Sequence, residues 1–482
     1  MREEITKRKV LTSFIWNLLE RFSGQILQFI LSIFLARILL PEDYGIVALI
    51  QIFIQLANVF VIDGFNTSLI QKNDSDDLDF SSVFHFTTGI AIFLYIMMFF
   101  LAPVIAGFYG KQIITNVIRI FSLSFFYTPL LSCQYAFIEK HMMFKVYFLR
   151  SLICLIISGT VAIIMALQGF GVYALVIQQL IYGTLNSIIL FIFIKWRPKL
   201  LFSFARIKSL FSFGWKFTCV GFIDCVFRNI YSLIIGKAYD VTQLSYYNRG
   251  QQFPNLIATN FVSSLKNVLF PTFSSKNDDK EALKNMLKKS SVINAYLILP
   301  LMFGMAAVAK PMVYILLTEK WEASIPFVQL CCLYFAFYNL NATNMSAINA
   351  LGRSDIFLRC EIIKKIVTVL LLVATIPFGV LWMVLGQVLT GLISSIINVF
   401  PTKKLFDYSI REQISDISGS LIISTVMGIL TLFITYLNFS NIMTLILQIV
   451  FGVVFYVIIS YIFKLKGFKY IINFLKKNKQ ES

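Results

Sequence analysis

Histidine is nearly missing from this chain: His85 and His141 are the only two in 482 residues. A histidine-based metal centre has too few ligands to form, so no metal site is expected. The seven cysteines are an odd number, lie scattered and include no C-x-x-C. They read as small apolar core residues, not as a disulfide set or a redox pair. No G-x-x-x-x-G-K-[ST] occurs, so ATP is not the expected fuel and no cofactor is expected. Charge is also scarce, at 14% of residues, against about 25% in ordinary globular proteins. No loop between apolar runs is long enough to house a soluble catalytic domain, which counts against an enzyme.

Apolar surface takes the place of charge. The chain is 58% hydrophobic and holds 49 Phe. Ser151–Ile194, Ile366–Thr402 and Ile417–Phe463 contain no Asp, Glu, Lys or Arg. A helix needs about 20 apolar residues to span the hydrocarbon core, so each run holds two spans. Turns fall near their middles, at "QGFG" (168–171), "IPFG" (376–379) and "NFSN" (438–441). Backbone polar groups in lipid must be satisfied internally, which leaves helices or a closed barrel. The runs are continuous, not alternating, so the fold expected is an all-α integral membrane protein of about fourteen transmembrane helices. The spans are placed near 12–38, 44–70, 81–107, 113–136, 147–167, 170–194, 211–236, 243–272, 289–318, 323–350, 359–376, 379–402, 417–437 and 441–463.

The net charge of +18 is not spread evenly. With a cytoplasmic N-terminus, 31 Lys and Arg fall in inside segments, Arg150 among them, and only Arg37, Lys111, Lys237, Lys310 and Lys320 fall in outside turns. This is the positive-inside bias, and it places both termini in the cytoplasm. It also removes the need to invoke nucleic acid. "NDSDDLD" (73–79) departs from the pattern as an acidic inside loop. The tail "KLKGFKYIINFLKKNK" either lies on anionic lipid headgroups or is solvated. The basic-then-apolar start lacks a small-residue cleavage site and is interrupted by Glu20 and Arg21, so it is read as a retained first span.

Polar residues inside the spans carry the functional signal. A charge at mid-bilayer costs about 2.5–3.5 kcal/mol on insertion scales and so faces a cavity or a partner. The first span carries Asn17, Glu20, Arg21, Gly24, Gln25, Gln28 and Ser32 on one helical stripe. The eighth carries Asn248, Gln252, Asn255, Thr259, Ser263 and Asn267, with Arg249 beside them. Pro254 interrupts that helix and is the hinge candidate. Asp224 and Arg228 are spaced as a local pair in the seventh span, where Lys216 lies near an end. Gln51, Gln55 and Asn58 run along the second span to Asp63, and Asn339, Asn341, Asn344 and Asn349 mark the tenth. Such residues either line a hydrated cavity or join helices in a dry bundle. For the two long stripes with an Arg, the cavity is preferred. Arg37 and Lys237 begin similar stretches 200 positions apart, a trace of internal repetition.

"ARILLPEDYGIVAL" (36–49) resembles the signature of the Wzx-type oligosaccharide flippases, the branch of the multidrug/oligosaccharidyl-lipid/polysaccharide exporter superfamily related to the colanic-acid and teichuronic-acid exporters. So do "GFGVYALV" (169–176), "IIGKAYDVTQLSYYNRGQQFP" (234–254), "PTFSSKNDD" (271–279), "TEKWEASIPFVQL" (318–330) and "LGRSDIFLRCEIIKKI" (351–366). "EKHMMFK" (139–145) departs from the more basic pattern of that loop. The resemblance implies two pseudo-symmetric six-helix lobes in a V, 1–200 and 201–404, with two extra C-terminal helices and the tail in 405–482. It implies alternating access and export of a polyprenyl-pyrophosphate-linked glycan unit for capsule, O-antigen or exopolysaccharide, alongside a polysaccharide polymerase and a chain-length regulator.

On that reading Arg21, Arg249, Gln25, Gln28, Asn248, Gln252, Asn255, Arg228 and Lys216 line the substrate cavity. Glu20, Asp63 and Asp224 are the candidates to couple a Na⁺ or H⁺ gradient. Physically, the Pro-Glu-Asp corner is an outer turn: Pro suits the first turn of the next helix, and the two acids favour its positive end. The alternatives are a cation-coupled small-molecule antiporter and a membrane-embedded polymerase or ligase.

Overall fold

The computed structural model describes residues 24–72, 74–141, 145–274 and 280–481. Among the described residues there are sixteen α-helices and no strand. The first compact unit ends at Ser245. It holds α1 (Gly24–Ile38), α2 (Pro41–Gln71), α3 (Asp77–Tyr109), α4 (Ile113–Phe121), α5 (Thr128–His141), α6 (Lys145–Leu167), α7 (Val172–Phe193), α8 (Phe204–Ala238) and the first residues of α9 (Val241–Ser274). The second unit begins at Tyr246. It holds the rest of α9, then α10 (Lys280–Leu316), α11 (Ile325–Ala350), α12 (Ser354–Thr375), α13 (Val380–Phe406), α14 (Ile410–Phe433), α15 (Asn441–Ile462) and α16 (Lys466–Glu481).

Ten of these helices are long and apolar enough to cross a membrane, eleven if the α4–α5 pair, bent by 41°, counts as one span. The protein is therefore multi-pass. The expected count of fourteen is not reached on this measure among the described residues. The described part of α1 is short. α9 carries the polar stripe, and α12 carries Arg359, Glu361, Lys364 and Lys365. The breaks themselves fall where punctuation residues stand. α1 ends at Ile38 and α2 starts at Pro41, while α8 ends at Ala238 and α9 starts at Val241, the same offset of 200 that Arg37 and Lys237 suggest.

In the first unit α2 is the axis, contacting α3, α4, α5, α7 and α8. Its tightest partner is α8, and glycine makes that possible. A Cβ on Gly64 would lie 2.3 Å from Thr218 Oγ1, and one on Gly214 would lie 2.5 Å from the Gly64 carbonyl oxygen. Small residues let helix backbones meet in a membrane, where apolar burial alone gives little drive. Ser68 Oγ donates to the Leu210 carbonyl at 3.0 Å across the same contact. Phe65, Leu69, Phe80, Leu131, Leu190 and Trp196 form the adjoining core.

The acidic loop that departs from the charge bias is neutralised within this unit. Asp79 is fully buried and meets Lys72 at 2.5 Å and Arg206 at 3.6 Å. Asp77 meets Lys199 at 2.6 Å. Asp76 caps α3 by accepting from the Asp79 N–H at 2.9 Å.

In the second unit α10 is the axis, contacting α11, α13, α14, α15 and α16. The asparagines of α11 divide: Asn341 and Asn344 tie helices, the Asn339 side chain donates to the Phe335 carbonyl of its own helix, and Asn349 is exposed. Asn294 Nδ2 donates to the Asn339 carbonyl at 2.9 Å and to Thr343 Oγ1 at 2.8 Å. Asn344 Nδ2 donates to Gln413 Oε1, and Gln413 Nε2 to Thr402 Oγ1, both at 3.0 Å. Asn339 is fully buried and Asn344 nearly so, as expected of a dry bundle.

Candidate functional site

The Pro-Glu-Asp corner is a junction of helix ends. Pro41 opens α2, and the Asp43 carboxylate accepts from the Leu40 N–H at 3.1 Å and from the Val172 N–H at the start of α7. One carboxylate thus serves two helix N-termini, each with unsatisfied N–H groups and a positive end. Gly171, at φ +53°, leaves room for it: a Cβ there would be 3.1 Å from Asp43 Oδ1. Glu42 pairs with Lys111 at 2.6 Å, and Gly45 sits against the Val241 carbonyl. Three of the stretches that carry the family resemblance meet here, and their role is structural.

The seam between α2 and α8 gathers several of the expected residues. Gly221 is the device that admits Asp63, since a Cβ there would lie 2.2 Å from Asp63 Oδ2. Arg228 lies within electrostatic range of Asp63, one turn beyond Asp224. Asn229 Nδ2 donates to the Cys225 carbonyl at 2.9 Å and reaches Gln55 Oε1 at 3.4 Å. Lys216, Asp224 and Arg228 are all exposed on α8. α8 is apolar enough to cross the membrane. Exposed charges on such a helix must open onto water or polar headgroups, not acyl chains. Chemically, the seam offers two carboxylates, a guanidinium, an ammonium and two amides: acceptors for a small cation and donors for an anion.

At the start of α9 the geometry differs. Arg249 is 5% exposed, stands 5.2 Å from the centre of the Trp321 ring and donates to Gln252. Trp321 is fully buried. Gly250 lets α9 press on α11, where a Cβ would come 2.4 Å from Phe327 Cβ. Tyr247 Oη is 3.2 Å from Gln387 Oε1. "YYNRG" and "TEKW" therefore meet, with Arg249 enclosed. Pro254 is buried one turn further on, while Asn255 is exposed and Asn248 and Gln252 are half-buried. The Thr259 hydroxyl donates to the Asn255 carbonyl and that of Ser263 to Thr259, each at 2.7 Å. These side chains turn back onto their own helix.

Glu20 and Arg21 lie outside the described residues. On α1, Gln25 is half-buried and Gln28 exposed. Asp63 and Arg228 are brought together within the first unit. Asn248, Arg249, Gln252 and Asn255 share one helix in the second. Sequence reasoning missed Arg150, Asn229 and Trp321. Arg150 was counted among the cytoplasmic loop charges, but it lies in α6, is 5% exposed and has its guanidinium 5.5 Å from the Tyr135 ring centre. Asn186 Nδ2 donates to that tyrosine's hydroxyl at 2.7 Å. An Arg six residues into an apolar helix was the available signal.

Ten or eleven membrane-length helices and the polar seams held among them define a multi-pass α-helical membrane protein. Its fold is shared with a solved structure of the lipid II flippase MurJ in an inward closed conformation, with a TM-score of 0.74 and 18% identity over 93% of this chain and 98% of that one. The chain belongs to the family described as "Polysaccharide biosynthesis protein", whose model matches residues 34–326. It is similar to the succinoglycan biosynthesis transport protein ExoT of Rhizobium meliloti (strain 1021), 23% identical over 73% of this chain and 72% of that one. It is also similar to the teichuronic acid biosynthesis protein TuaB of Bacillus subtilis (strain 168), 22% identical over 78% of each.

Proposed function

We propose that this protein is a flippase that moves a polyprenyl-pyrophosphate-linked oligosaccharide across the bacterial inner membrane by alternating access. The observation that carries the reading is the charged stripe of α8: Lys216, Asp224 and Arg228 are exposed on a membrane-length helix. Membership of the polysaccharide biosynthesis family and similarity to a polysaccharide transport protein give that stripe a substrate class. A pyrophosphate carries about two negative charges and needs fixed cations, and a guanidinium suits phosphate oxygens. Arg228 and Lys216, with Arg21 on the first span, are the cations offered. Arg249, enclosed under Trp321, orders the start of α9.

Residues 1–200 and 201–404 act in this reading as the two moving lobes, with both termini cytoplasmic. A Na⁺ or H⁺ gradient, or the membrane potential, drives the cycle, and Asp63, Asp224 and Glu20 are the acids that respond to it. A polysaccharide polymerase and a chain-length regulator act on the exported unit. Deletion of the gene, followed by analysis of lipid-linked intermediates, tests the proposal. Complete repeat units should accumulate on the cytoplasmic leaflet. Incomplete units there, or complete units on the outer leaflet, would identify an enzyme or a later step instead.

A further inference from the structure

The C-terminal helix is fastened to the second unit through Lys466, Gly467, Phe468 and Ile471 near its start. α15 ends at Ile462, Lys464 turns the chain at φ +51°, and α16 begins at Lys466. Gly467 lies directly against α10, where a Cβ would come 2.4 Å from Tyr296 Cβ. Phe468 and Ile471 pack on the Tyr296–Tyr456 cluster, and the Tyr456 hydroxyl donates to the Tyr296 carbonyl at 2.9 Å. Lys466 Nζ is 2.7 Å from Asp416 Oδ1 on α14. The other oxygen of that buried carboxylate meets Lys288 of α10 at 3.4 Å and accepts from Tyr408 at 3.0 Å. One carboxylate thus joins α10, α14 and α16.

Past this bolt, α16 has two faces. Gly467 is buried and Phe468, Tyr470, Ile471 and Ile472 are half-buried, while Lys466, Lys469 and Asn473 are exposed. Helical spacing along α16 puts Lys476 and Lys477 in register with Lys466, Lys469 and Asn473. Its depth is marked independently. Tyr461 and Phe463, at the end of the apolar α15, are 71% and 68% exposed. Aromatic side chains in that position sit at the membrane–water interface. Phe468 meets Tyr461 edge-on, with ring centres 6.3 Å apart, so α16 starts at headgroup level. Lysines held at that depth face lipid phosphates.

We propose that α16 is an interfacial clasp: the face carrying Lys469, Lys476 and Lys477 binds anionic phospholipid headgroups, and the docked first turn ties α10 and α14 to that leaflet. The charge of the surrounding lipid therefore sets how firmly α10, the axis of the second unit, is held. The occupant is a lipid surface, not a soluble anion, because the aromatic residues flanking the helix fix it at the bilayer boundary.

The test uses the full-length protein in nanodiscs of phosphatidylcholine, with or without one third phosphatidylglycerol. Hydrogen exchange of the α16 peptide is followed by mass spectrometry. Exchange should slow by roughly tenfold in the anionic discs, and raised salt should remove the difference. The triple variant Lys469→Glu, Lys476→Glu, Lys477→Glu should abolish it at an unchanged melting temperature. If that variant fails to assemble, the Gln triple replaces it, and the salt titration of the wild type stands alone. Equal exchange in both lipids, or a difference that survives high salt or the variants, overturns the proposal. Neither readout depends on whether the protein flips a glycan.

Discussion

Gly214 of α8 lies so close to Gly64 of α2 that a methyl group on Gly214 would come within 2.5 Å of the Gly64 carbonyl oxygen. The obstacle is backbone, which cannot rotate away as a side chain tip could. Gly214→Leu must therefore spread the two helices and strain the Ser68–Leu210 hydrogen bond. We expect a loss of about 1–3 kcal/mol, the usual cost of overpacking, read as a lowered melting temperature in detergent. Gly107→Ala, on an exposed face with nothing within 4 Å, serves as the control and should leave it unchanged.

Asp79 makes a second prediction about the same unit. Its side chain is 0% exposed and faces both Lys72 and Arg206. Removing one partner of a buried ion pair costs about 3–5 kcal/mol when the other charge is stranded. Here the partners are 30% and 41% exposed and can turn to water. Asp79→Asn should then cost less, about 1–3 kcal/mol, the price of unmatched polar groups. A melting temperature equal to that of wild type would show that the cluster adds nothing to stability.

Acid should weaken this cluster in a defined direction. The hydrogen bond from the Asp79 N–H, with Arg206 and Lys72 nearby, holds the Asp76 carboxyl below the usual range. The folded value is lower than the unfolded value of about 3.9, so the stabilisation is present above that pH and is lost as pH falls through the folded value. Asp76→Asn keeps a capping side chain but cannot titrate. Between pH 7 and pH 3 its melting temperature should fall less than that of wild type.

Much of the fold was legible in the sequence, because hydropathy and charge are one-dimensional signals. Charge-free runs such as Ser151–Ile194 break at Gln168–Gly171, where α6 gives way to α7. Partners across long separations were not legible. Asp43 meets the Val172 N–H and Asp79 meets Arg206 only because helices distant in sequence pack together. Periodicity also names a helix face without saying what the face meets. The polar stripes of α8 and α11 look alike in sequence, yet Asn341 and Asn344 join helices while Asp224 and Arg228 are exposed. Arg249 reads as a cavity cation until Trp321, more than 70 residues later, is seen to enclose it.

That enclosure separates two roles for Arg249. A desolvated cation over an indole contributes about 2 kcal/mol. Arg249→Ala should therefore lower the melting temperature, and Arg249→Lys should restore part of it by keeping the charge. Normal thermal stability combined with lost flipping in the Ala variant would return Arg249 to the substrate site.

Arg228 is the position where loss of transport and loss of fold should come apart. It is exposed, so Arg228→Ala should leave stability within about 0.5 kcal/mol, as surface substitutions do. A charged hydrogen bond to phosphate contributes about 1.5–3 kcal/mol. Its removal should slow flipping of a pyrophosphate-linked substrate by at least about tenfold. Arg228→Lys keeps a point charge without the planar fork and should retain part of the rate. Asp63, within range of the same guanidinium, supplies the internal control. Asp63→Asn should alter the dependence on the driving ion gradient in vesicles while substrate binding persists. Full flipping by a stably folded Arg228→Ala, Lys216→Ala double variant would show that the α8 stripe faces water for some other reason, and would remove it from the substrate path.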